Sequence, residues 1–145
     1  MSRFVHLHVH TQYSILDGQA SIARLVDKAM ADGQPGIAVT DHGDMFGIKE
    51  FYNYVKKARG KYKDKAAACE KRIAALRDGS EPSDDPAAEI ARCERELEEH
   101  RRKADFKPII GCEVYVARRR LQDKEGKPDQ SGYHLILLAK NLKGY

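Results

Sequence analysis

A short apolar run between two amphipathic stretches is the feature that most restricts the fold of this chain. Residues 37–40, Ile-Ala-Val-Thr, follow the break at Pro35 and have the length and continuous apolarity of a buried parallel strand. The preceding stretch predicts a helix over residues 21–32, with Ser21 as its N-cap, and the following stretch predicts a helix over residues 45–59. Alternating strands and helices predict an α/β fold of parallel units.

Three further segments predict strands, at residues 4–9, 108–116 and 133–139, and an exposed loop is predicted over residues 118–132. We expect all four strands to be parallel. A closed (β/α) barrel usually takes about 250 residues, whereas this chain has 145. An open sheet would fit that length, but we expect part of a TIM-like barrel, truncated at its C-terminal side.

Residues 61–105 interrupt this alternation. Their apolar positions step by three and four residues, which predicts two antiparallel helices that meet along a narrow seam. Asp85 is a suitable N-cap for the second helix, with Pro86 at its first position. We therefore expect a helical hairpin inserted at residues 61–105 within one domain that spans residues 1–145.

Composition narrows the class of protein. Three widely spaced cysteines give no disulfide framework and no zinc-ribbon spacing. The formal charge of +4 is too mild to indicate a nucleic-acid partner by itself. No apolar run is long enough to cross a bilayer, and the first residues lack the features of a signal peptide. The sequence therefore predicts a cytoplasmic protein without a membrane partner.

Histidines and carboxylates lie in or directly after the predicted strands. Such side chains meet at the carboxyl edge of a parallel sheet, where α/β proteins build their sites. Imidazole nitrogen together with carboxylate oxygen suits zinc, manganese or iron better than magnesium. Each residue alone would commonly be structural or solvated, so the prediction of a metal site depends on their convergence. The candidates are His8, His10, Asp17, Asp41, His42, Glu113 and His134.

Four stretches in this order resemble a known family. They read FVHLHVHTQYSILDG, AVTDHGDMFGIKEFY, FKPIIGCEVYVARR and HLILLAKNLKGY. Together they are similar to the polymerase-and-histidinol-phosphatase (PHP) domain that opens the alpha subunits of bacterial DNA polymerase III. They cover nearly the whole chain outside residues 60–105, and their combination is far more specific than His-x-His alone.

The resemblance implies a set of metal ligands and a set of supporting residues. Asp41 is expected to orient His42 or its neighbours, and His6 to have a similar or a structural part. The family pattern also has a cysteine and an Asp-x-His pair, which would follow Tyr145. Zinc is the expected metal, with manganese or iron as alternatives. The implied ligands are His8, His10, Asp17, His42, Glu113 and His134.

The implied activity is metal-dependent 3′–5′ exonuclease proofreading within a DNA-directed DNA polymerase, a nucleotidyltransferase whose polymerase active site lies far downstream. Its partners would be the 3′ end of DNA and the remaining polymerase domains. Two basic runs of the sequence could contact the DNA, although runs of lysine and arginine are more commonly solvated surface than DNA contacts. The candidates for contacts with DNA phosphates are Lys56, Lys57, Arg59, Arg118, Arg119 and Arg120.

Two alternatives remain open at this point. In some members of the family the metal ligands are eroded, and the domain serves as a scaffold for a separate exonuclease subunit. A histidinol-phosphatase-like phosphomonoesterase would share the His-x-His pair and the α/β plan. All six ligand positions within this chain carry suitable residues, which favours metal binding, and GCEVYVARR argues against the phosphomonoesterase.

Overall fold

A computed structural model describes residues 4–127 and 130–145. Residues 1–3 of the predicted domain and residues 128–129 of the predicted loop lie outside the described residues. The class is α/β, as predicted. No helix within the described ranges combines the length and apolarity that a membrane span requires. The elements follow in the order α1 (Ile22–Ala31), β1 (Gly36–Val39), α2 (Ile48–Asp78), α3 (Pro86–Ala104), β2 (Lys107–Val116) and β3 (Tyr133–Leu138).

Helix α1 and strand β1 form where the sequence predicts them. The hydroxyl of Ser21 accepts a hydrogen bond from the N–H of Arg24, which is the geometry of an N-cap. Ile22 and Val26 of α1 are fully buried, and all four residues of β1 are buried. Burial of a large aliphatic side chain contributes about 1.5–3 kcal/mol to folding. These residues therefore fix the centre of the domain.

The segment at residues 4–9 runs beside β1 but does not form the predicted strand. The N–H of Ala38 donates to the carbonyl of His6, and the N–H of Thr40 donates to the carbonyl of Val9, each at 2.9 Å. The step from Ala38 to Thr40 is two residues, whereas the matching step from His6 to Val9 is three. A parallel ladder advances evenly, so the extra residue acts as a bulge and interrupts the ladder.

The three strands form one sheet in the order β1-β2-β3. β1 pairs with β2 in parallel, with Val39 opposite Ile110, as predicted. β3 pairs with β2 in the antiparallel direction, with His134 opposite Tyr115, so the prediction of only parallel strands is wrong. A parallel neighbour needs a crossover, usually a helix. The described part of the connection between β2 and β3 contains no helix of that kind, and the chain turns back.

Helix α2 is continuous over 31 residues, although the sequence predicts two helices that part near residue 60. Gly60 suggests a break, because glycine inside a helix costs about 1 kcal/mol relative to alanine. Burial on both sides of Gly60 offsets this cost. Phe51 and Val55 are buried in the domain core before it, and Ala66 and Ile73 pack with α3 after it. The single helix α2 therefore contributes side chains to both apolar cores.

Helix α3 packs against the C-terminal part of α2, and residues 61–105 are called the arm below. The small apolar cluster of the arm contains Cys93 and Leu97. Ion pairs at 2.7 Å flank it, including Arg77 with Glu94. Such exposed pairs are worth only about 0–1 kcal/mol each, so burial along the seam holds the two helices together. That the arm is an insertion within a barrel remains a prediction.

Candidate metal centre

The carboxylate of Glu113 lies at the centre of four imidazoles. Its Oε2 is 2.6 Å from Nε2 of His8 and 2.9 Å from Nε2 of His10. Its Oε1 is 2.6 Å from Nδ1 of His134 and 3.1 Å from Nδ1 of His42. The Glu113 side chain is only 4% exposed. Each carboxylate oxygen therefore faces a separate pair of histidines.

Thr11 fastens the segment that carries His8 and His10. Its N–H donates to Oδ1 of Asp41 at 2.5 Å and its hydroxyl donates to Oδ2 of Asp41 at 2.8 Å. Both residues are buried. Burial raises the pKa of the Asp41 carboxyl above its ordinary value, although the two hydrogen bonds from Thr11 act in the opposite direction. Because Thr11 directly follows His10, these hydrogen bonds hold the backbone next to the first histidine pair.

Main-chain pairing beyond β1 places His42 beside Glu113. The N–H of Glu113 donates to the carbonyl of Asp41 at 3.1 Å, and the N–H of Gly43 donates to the carbonyl of Glu113 at 2.8 Å. His134, the second residue of β3, lies opposite Tyr115 and reaches the same place. Because β3 is antiparallel, its start lies at the edge where β1 ends.

Asp17 lies beside the histidines but on a different side of His10. Its Oδ1 is 3.0 Å from Nδ1 of His10, whereas Nε2 of His10 faces Glu113. Its Oδ2 is 3.6 Å from Nδ1 of His42. A hydrogen bond from the hydroxyl of Ser14 is the largest cause that holds the pKa of Asp17 below its ordinary value. This arrangement suits a carboxylate that orients His10 better than one that shares an ion with it.

The donor set fits divalent transition metals. Two groups of described residues bring their ligand atoms within 4.8 Å of one another: His8, His10 and Glu113, and His42, Glu113 and His134. Ligands at about 2.1 Å from one tetrahedral ion lie roughly 3.4 Å apart, close to the separations seen here. Nδ1 of His42 is buried and has no hydrogen-bond partner of good geometry in the described structure. A nitrogen that binds a metal ion would likewise have no hydrogen-bond partner.

Electrostatics favours the ionised form of the central carboxylate. Burial raises the pKa of Glu113, but hydrogen bonds from His8 and His10 and the charges of His10 and His134 lower it. The net pKa lies below the ordinary value of a glutamate. An ionised carboxylate is the form that a cation binds, so Glu113 is suited to bridge two ions.

Not every candidate joins this cluster. His6 lies edge-on to Phe4, with 4.6 Å between ring centroids, and does not contact Glu113 in the described part of the chain. Arg59 donates from Nε to the carbonyl of Ala104, which ties α2 to the end of α3. Among the basic candidates, the guanidinium of Arg118 lies over the ring of Tyr133, 5.1 Å from the centroid. Tyr133 is a strand residue whose side chain points to the face opposite that of His134.

The other basic candidates lie on the surface. Lys56 and Lys57 are exposed on α2. Arg119 pairs with Glu125 at 3.2 Å, and the N–H of Arg120 donates to Asp123. None of these contacts marks a binding surface for DNA.

Two residues of the centre escape the sequence reasoning. Thr11 gives no signal on its own, since its role depends on Asp41, thirty residues further along the chain. Tyr115 does give one. It is two residues after Glu113 in a strand and therefore shares its face. The structure puts its hydroxyl against Nε2 of His42.

This fold and this centre define a class of protein. The chain belongs to the PHP domain family, whose model matches residues 6–145. The curated relatives that it matches include DNA polymerase III subunit alpha of Borreliella burgdorferi, which is 36% identical over 99% of this chain. The subunit of the same name from Thermus aquaticus is 35% identical over 99% of this chain. That from Mycobacterium tuberculosis is 53% identical over 39% of it.

The matches cover only a small part of these relatives. The chain spans 9% of the length of the Borreliella burgdorferi subunit, 8% of the Thermus aquaticus subunit and 5% of the Mycobacterium tuberculosis subunit. The similarity therefore concerns the PHP region of a much longer protein. This similarity does not assign the activities of the whole subunits to the chain.

Proposed function

We propose that this chain acts in DNA replication as the PHP domain of a DNA polymerase III alpha subunit, and that it is a metal-dependent 3′–5′ exonuclease. The observation that carries the proposal is the position of Glu113, whose two oxygens each face a histidine pair. Two adjacent cations are the usual means of cleaving a phosphodiester by in-line displacement. Polymerisation itself is assigned to other domains of such a cytoplasmic subunit.

The proposed ions are zinc, with manganese or iron as alternatives, because nitrogen donors predominate. His8 and His10 would hold one ion and His42 and His134 the other, with Glu113 between them. Bound cations would supply Lewis-acid polarisation of the phosphoryl group and a lowered pKa for water. Asp17 is proposed to keep His10 oriented through Nδ1, although the family resemblance makes it a direct ligand.

The chain itself contributes orientation and charge around these ligands. Thr11 and Asp41 hold the first histidine pair in place. Arg118, exposed beside the start of β3, is one of the basic candidates for contact with a phosphate of the DNA strand. A guanidinium can contact two phosphate oxygens at once. Arg118 would thus help to hold the DNA strand without taking part in the chemistry.

A direct assay distinguishes this function from its competitors. The chain, loaded with zinc or manganese, is incubated with single-stranded DNA labelled at its 5′ end, and shortening from the 3′ end is followed. We expect activity that His10→Ala removes and that Glu98→Gln, an exposed change on α3, retains. Bound metal without DNA cleavage would favour the scaffold function. Hydrolysis of a phosphomonoester in place of DNA would favour the histidinol-phosphatase-like function.

A further inference from the structure

Tyr115 contacts two histidines of the candidate metal centre but is not among its expected metal ligands. Its hydroxyl meets Nε2 of His42, and its ring lies edge-on to two imidazoles. The centroid of the Tyr115 ring is 5.0 Å from that of His42 and 5.0 Å from that of His134. Its position two residues after Glu113 puts it on the same face of β2. The tyrosine therefore borders the group formed by His42, Glu113 and His134.

The two nitrogens of His42 have different surroundings, and this difference assigns their roles. Nδ1 is buried, lies 3.1 Å from Oε1 of Glu113 and has no hydrogen-bond partner of good geometry in the described structure. Nε2 faces the hydroxyl of Tyr115. A histidine binds a metal through an unprotonated nitrogen, so its other nitrogen carries the proton and needs an acceptor. The phenol oxygen of Tyr115 is that acceptor.

We propose that Tyr115 is a positioning residue, which fixes the tautomer and the ring orientation of His42 by accepting a hydrogen bond from Nε2–H. This inference rests on the proposed metal binding and adds a residue to it. The hydroxyl proton of Tyr115 then points away from His42 and is free to donate to a ligand.

The effect should be confined to one of the two ligand groups. His8 and His10 face Oε2 of Glu113, and the contacts of Tyr115 are with His42 and His134. Partners of this kind typically change metal affinity by about 10- to 100-fold when they are removed. Tyr115→Phe removes the acceptor and keeps the ring, so packing against His134 is preserved.

Cobalt binding tests the proposal without reference to catalysis. The visible spectrum of bound Co²⁺ and its Kd are measured for the wild type, Tyr115→Phe and Tyr133→Phe. Tyr133 also lies in the sheet, but its ring faces Arg118 and serves as the matched control. We expect Tyr115→Phe to weaken Co²⁺ binding about 10- to 100-fold and to change the spectrum, and Tyr133→Phe to change neither.

A second comparison separates positioning from packing. In a His42→Ala background, Tyr115→Phe should cause no further loss of Co²⁺ affinity, because its effect passes through His42. An equal further loss in that background would overturn the proposal, and so would a Tyr115→Phe protein with the spectrum and Kd of the wild type. If the wild type binds no Co²⁺, the proposed metal binding fails together with this inference.

Discussion

Asp41 accepts both the main-chain N–H and the hydroxyl of Thr11, although thirty residues separate them in the chain. The carboxylate is buried, so these two donors are its means of satisfying its oxygens. The same contact fixes the backbone immediately after His10. A single buried pair thus links the stability of the domain to the geometry of the candidate metal centre.

Removal of the Thr11 hydroxyl should weaken both properties. Thr11→Val leaves Oδ2 of Asp41 without its donor, and an unsatisfied buried acceptor costs about 1–3 kcal/mol. We expect the free energy of unfolding in urea to fall by that amount and the affinity for zinc to fall with it. Thr11→Ser keeps the donor and should stay within about 1 kcal/mol of the wild type. Equal stability of Thr11→Val and the wild type would contradict this account.

Asp17 should behave as a residue that orients His10. Its carboxylate contacts Nδ1 of His10, and an amide oxygen can accept the same hydrogen bond. We therefore expect Asp17→Asn to lower zinc affinity by no more than about 10-fold, and Asp17→Ala by about 10- to 100-fold. Competition with a chromophoric chelator measures both. If Asp17→Asn loses as much affinity as His10→Ala, Asp17 binds the ion directly.

The domain core should depend strongly on Phe51. This side chain of α2 is fully buried in the core that α2 shares with α1 and β1. Its replacement by alanine removes its contacts and leaves a cavity. Such changes typically cost about 3–5 kcal/mol. Tyr52, the next residue, is 50% exposed and provides the control. We expect denaturation by urea to show a large loss for Phe51→Ala and about 1 kcal/mol or less for Tyr52→Ala.

The arm should be dispensable for metal binding. Nε of Arg59 donates to the carbonyl of Ala104 at 2.9 Å, so the two ends of the arm lie close together. A short glycine-serine linker in place of residues 61–105 should therefore preserve the domain core, including Phe106, and the metal content per chain. A shortened chain that is folded by circular dichroism but has lost its metal would show that the arm takes part in the centre.

The sequence predicts those elements whose ends carry local signals. Ser21 caps α1, and Asp85 caps α3 by accepting the N–H of Ala88. The sequence does not predict the continuity of α2 through Gly60, because packing against α3 on one side and the domain core on the other outweighs the local cost of a glycine. The sequence does not predict the bulge near His6 either, since alternation of residue types does not reveal an extra residue in a ladder.

The candidate centre was easier to predict than the sheet around it. We expected the histidines to meet at the carboxyl edge of parallel strands, yet His134 arrives from the beginning of an antiparallel strand. The reversal of direction and the position of His134 near the start of β3 compensate for each other. Hydrogen-bond partners such as Thr11 and Tyr115 depend on tertiary distance, which one sequence does not encode in a readable pattern.

The central claim is that Glu113 joins two metal sites, and metal content tests it most directly. Bound transition metal per chain is measured by plasma mass spectrometry for the wild type, Glu113→Gln and Glu98→Gln, the last an exposed change on α3. Glutamine keeps the shape of the side chain but removes the charge that both histidine pairs share. We predict metal in the wild type and in Glu98→Gln, and its loss in Glu113→Gln. Wild-type metal content in Glu113→Gln, or a wild type without metal, would contradict the account.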